Sequence, residues 1–95
     1  MFRLWGKIWK SNHMLADTVA CSDETGLNRT RKVLNGLETI CRELDLPVPI
    51  WLEQNISEFQ RVSKTRFRQD SFIEEIPFDY LEIQVIEEDE DFSGR

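Results

Sequence analysis

The chain has 95 residues, 40% of them hydrophobic and 11% aromatic, with a formal net charge of −6. That length suits one core, since about 60% or somewhat more of the unfolded surface is buried at this size, and the aromatic content argues against wholesale disorder. Two cysteines are too few for a disulfide-built scaffold, and no apolar run has the length of a membrane span. The first ten residues scatter Arg3, Lys7 and Lys10 among apolar side chains and so lack the apolar core of a signal peptide, which points to the cytoplasm. Charge is unevenly placed. Residues 70–95 hold ten acids and one base, whereas residues 1–69 hold eight acids and eleven bases.

Residues 2–10 alternate with period two, which predicts a strand with Phe2, Leu4, Gly6 and Ile8 on one face and Arg3, Trp5, Lys7 and Trp9 on the other. Turn-forming residues 10–13 lead to a second predicted strand over 14–21, with Leu15, Val19 and Cys21 on one face and a hairpin joining the pair. Cys21 and Cys41 both lie in runs that read as buried. After the capping cluster Ser22–Thr25, the spacing of Val33, Leu34, Leu37, Ile40, Cys41 and Leu44 predicts an amphipathic helix over about 27–45. Gly26 and Gly36 weaken it, and Pro47 and Pro49 stop it.

A shorter helix is expected over 51–62, with Leu52, Ile56 and Phe59 on its apolar face. Residues 63–71 read as a polar loop, and 72–77 are open between a turn and a short edge strand. A last strand over 78–87 turns Leu81, Ile83 and Val85 to one side and Tyr80, Glu82 and Gln84 to the other. The expected architecture is α+β: a three-stranded antiparallel sheet of order 2-1-3 with both helices on one face. It forms a single domain over 1–87, followed by an acidic, flexible tail over 88–95.

The expected surface of interest is the second sheet face, with Trp5, Trp9 and Tyr80 beside Arg3 and Lys7. Exposed aromatics rimmed by charge suit a protein interface or a homodimer. The competing arrangement, favoured by the high average burial of tryptophan, has residues 51–62 or 63–76 folding back over these rings. A second candidate is the basic stretch Arg61, Lys64, Arg66 and Arg68, with Phe67 available to stack on a base, but the acidic total makes nucleic acid a poor partner. A third is the acidic segment 82–91 acting as a decoy for a basic protein.

Catalysis is poorly supported. His13 is the only histidine, no Cys-x-x-Cys pair is present, and Glu74 and Glu75 would point to opposite faces of a strand. No cofactor or metal is called for. In the segments MFRLWGKIWK, PIWLEQNI and FIEEIPFDYLEIQVIEED, and over nearly its whole length, the chain resembles small uncharacterised proteins of anaerobic Gram-positive bacteria. The resemblance implies a bacterial cytoplasmic origin and one domain. It carries no activity and no functional residues.

Overall fold

The structure is a computed structural model that describes residues 1–89. Strands β1 (Phe2–Lys10) and β2 (His13–Ser22) form the expected hairpin. Ser11 and Asn12 make its two-residue turn, both with positive φ (51° and 65°), and this turn matches the right-handed twist of the flanking strands. Helix α1 (Arg29–Glu43) and helix α2 (Glu53–Val62) follow, then strands β3 (Lys64–Phe67) and β4 (Tyr80–Glu87).

The fold is α+β with two helices, but the expected three-stranded sheet is incorrect. The sheet has four antiparallel strands in the order β2-β1-β4-β3. The additional strand is KTRF, within the segment expected to be a loop. Thr65 and Phe67 are fully buried while Lys64 and Arg66 lie on the other face, so the period-two pattern is present but only two apolar steps long. As an edge strand with basic residues outward, it has a loop-like composition.

One face of the sheet carries the core. Phe2, Leu4, Ile8, Ala20, Phe67, Leu81 and Ile83 pack against Val33, Leu37, Ile40 and Cys41 of α1 and Phe59 of α2. Two glycines let α1 approach closely. A Cβ on Gly6 would sit 2.4 Å from Ile40 Cγ2, and one on Gly36 would sit 3.1 Å from Leu4 Cδ2. Gly36 therefore serves packing at the expense of helix propensity.

The cap of α1 is Asn28, whose side chain accepts from the Arg31 amide at 2.8 Å, rather than any of residues 22–25. At its other end Asp45 adopts φ 58°, and the Leu46 amide donates to the Cys41 carbonyl, which closes the helix ahead of Pro47. Asn55, 3% exposed, ties α2 to β3: its Oδ1 accepts from the Leu52 amide and its Nδ2 donates to Thr65 Oγ1 and the Arg66 carbonyl. Trp51 meets Phe59 and Phe67 edge-on at 5.5 and 5.0 Å between ring centres. Residues 69–71 form a 3-10 turn, and no strand forms over 72–77.

Candidate functional site

The opposite face of the sheet is free of both helices, because α1 and α2 both pack on the core side. Residues 51–62 therefore do not fold over it, since α2 lies beneath the sheet; of residues 63–76, β3 lies within the sheet, while Arg68 just beyond it reaches over Tyr80. The open face brings together Trp5, Lys7 and Trp9 of β1 with Tyr80, Glu82 and Gln84 of β4, paired across the strands as Trp5–Gln84, Lys7–Glu82 and Trp9–Tyr80. All five residues expected at the interface, Arg3, Trp5, Lys7, Trp9 and Tyr80, are on this face, and both indoles are half-buried.

At its centre is a buried ion pair that the sequence did not reveal. Lys7 is 6% exposed and Glu82 4%, with Lys7 Nζ 3.1 Å from Glu82 Oε1 and also donating to Gln84 Oε1. Arg66 of β3 donates to the second carboxylate oxygen at 3.0 Å. Burial pushes the Glu82 carboxyl up, yet its hydrogen bonds from Arg66 and Lys7, with their charges, outweigh this and hold it below the usual range. The same hydrogen bond raises Arg66.

Aromatic rings screen this pair in place of a helix. Lys7 Nζ lies 3.9 Å from the centre of the Trp5 ring, and the Arg66 and Arg68 guanidinium groups lie 4.7 and 5.0 Å from that of Tyr80. Trp9 stacks on Tyr80, and the Trp5 indole N–H donates to Asp17 at 2.8 Å. The Trp9 N–H is covered and has no acceptor among the described residues. The face is thus a cross-linked layer of rings and charges whose side chains are largely fixed in advance.

Strand β2 completes this face with Asp17, Val19 and Cys21, which pair with Lys7, Trp5 and Arg3. Cys21 is exposed, contrary to the expectation that both cysteines are buried. It faces away from the helices on an edge strand, where no layer covers it. Cys41, inside the core, is buried, and desolvation raises its thiol to about 11. Leu15 was expected to share the face of Val19 and Cys21, but it lies at a bulge where the pairing slips, with no partner in β1, and is 57% exposed.

The four bases of the second candidate, Arg61, Lys64, Arg66 and Arg68, do line one groove of about 640 Å³ beside β3 and α2. Glu58, Asp70 and Glu82 share that groove, and Arg66 is already engaged by Glu82. Phe67 is fully buried and has no face to offer a base. The acidic segment is likewise engaged in part. Glu87 pairs with Arg3, Glu88 with Arg29 and Asp89 with Lys32. The hydrogen bond from Lys32 holds the Asp89 carboxyl below its usual range. Glu88 and Asp89 lie against an α1 first turn that has no acid of its own, and so offset its unfavourable basic charge. The rest of the expected tail, residues 90–95, lies outside the described residues.

His13 and Cys21 stand at opposite ends of the ten-residue β2, roughly 26 Å apart at about 3.3 Å per residue. Cys41 is enclosed under the sheet. No helix among the described residues is long and apolar enough to cross a membrane. No protein family, curated protein or solved structure matches the chain.

Proposed function

We propose that this chain is a non-enzymatic protein-interaction module that associates with itself on the helix-free side of its sheet. The observation that carries this reading is the open face, where Trp5, Trp9 and Tyr80 remain partly exposed around a buried Lys7–Glu82 pair. Tryptophan and tyrosine are favoured interface anchors, and side chains already fixed by rings and ion pairs lose little entropy on contact. A second copy is the simplest partner, because an isologous contact reuses one patch. The resemblance to small proteins of anaerobic Gram-positive bacteria supports a bacterial cytoplasmic setting.

The test is the molar mass of the purified chain by light scattering, over concentrations from roughly micromolar to millimolar, the range expected for small interfaces. A mass rising from monomer to dimer is expected, with weaker association for the double variant Trp5→Lys/Trp9→Lys. A monomer mass at every concentration overturns the reading.

A further inference from the structure

We propose that two copies of the chain join along the free edge of β2, so that two four-stranded sheets continue into one and both aromatic faces lie on the same side. This rests on the self-association reading but moves the line of contact from the aromatic face itself to the strand edge beside it. The two edges of the sheet are built differently. β3 has four residues and carries Lys64 and Arg66, the short length and basic charge that discourage strand addition. β2 has ten residues, HMLADTVACS, without lysine, arginine or proline. Among the described residues it has no neighbour on its outer side.

Beyond the bulge at Leu15, β2 runs in regular register from Ala16 to Ser22. Met14, Leu15 and Val19 are 45%, 57% and 37% exposed along it. A row of unpaired amides and carbonyls flanked by apolar side chains is a template for another strand. A strand that sets no acid against Asp17 matches it, and β2 of a second copy is such a strand in the registers below.

The charge on β2 also restricts how two copies meet. A two-fold axis normal to the sheet joins residues of the same face, so the axis passes through a residue position. Centring on Asp17 sets that carboxylate against its twin, and centring on Ala20 sets it against Asp23. Like charges directly opposed are unfavourable. Centring on Thr18 or Val19 instead places Asp17 opposite Val19 or Cys21. In both arrangements Trp5, which pairs with Val19, flanks the seam. The join is small, and the dimer is accordingly concentration-dependent.

The experiment compares wild type, Val19→Lys and Trp5→Lys/Trp9→Lys by light scattering in reducing buffer, with circular dichroism to verify that each variant is folded. Val19→Lys gives the edge the charge that β3 already has and is expected to raise the concentration of half-dimerisation at least about tenfold, more than the double tryptophan variant does. A second measurement uses mild oxidation of Thr18→Cys and Val19→Cys, each in a Cys21→Ser background. Directly opposed residues have Cα atoms about 4.5–5.5 Å apart, within disulfide reach, so one of the two variants is expected to cross-link as a dimer. If Val19→Lys dimerises as wild type does and only the tryptophan variant is impaired, the copies stack face to face: the edge proposal falls and the broader reading stands. A wild-type chain that stays monomeric removes both.

Discussion

The two faces of the sheet are made by alternate residues of the same strands and reach burial by different means. On the covered face Leu4, Phe67, Leu81 and Ile83 are fully buried because α1 and α2 lie against them. On the open face Lys7 and Glu82 reach 6% and 4% exposure with no helix above them. Their screen is made of side chains: Trp5 over the ammonium, and Arg66 holding the carboxylate while its guanidinium lies over Tyr80. The first face is held by apolar packing against the helices. The second depends on charge balance and ring placement, so a small chemical change should disturb it more than its size suggests.

The largest expected difference comes from splitting the ion pair. Lys7→Met leaves Glu82 buried with the half-exposed Arg66 as its remaining cation and should cost about 3 kcal/mol in urea unfolding, the low end for a broken buried pair. The double variant Lys7→Met/Glu82→Leu should be less destabilised than that single one, because no buried charge remains and the half-exposed Arg66 can turn to solvent. Equal destabilisation of the two would show that the open face is held by packing, as the covered face is.

A smaller effect is expected on the covered face from Gly6→Ala, which drives a methyl into Ile40. Ile40 is fully enclosed, so overpacking of about 1–3 kcal/mol should appear in the same assay. A neutral result would mean that α1 can lift from β1 without loss.

The smallest effect is on pH dependence. Glu82 has a lowered carboxyl pKa in the folded chain, so its contribution is complete above the ordinary carboxylate pKa and disappears as pH falls through the lowered value. Thermal unfolding followed from neutral to acidic pH should show this loss, and Glu82→Gln should flatten the profile. An unchanged acid limb in Glu82→Gln would assign the acid sensitivity elsewhere, with Asp89 next to be tested, since its pKa is lowered in the same direction.

The sequence by itself determined the elements whose periodicity is long. Nine alternating residues in β1 and three- and four-residue apolar spacing in α1 are local patterns, and each defines which residues share a face before any partner is known. The partition of Trp5, Lys7 and Trp9 from Phe2, Leu4 and Ile8 follows from that alternation alone, as does the grouping of Tyr80, Glu82 and Gln84. Only the tertiary structure decided which of these groups meet. KTRF is too short and too basic to be told from a loop until β4 supplies its hydrogen-bonding partner. The Lys7–Glu82 pair depends on a β1–β4 register between residues 75 positions apart, and Arg66 joins it only because β3 flanks β4. Exposure of Cys21 likewise depends on β2 being an edge strand. Periodicity is a property of neighbouring residues, whereas pairing and coverage arise when distant segments compete for the same sheet, and no local pattern records the result.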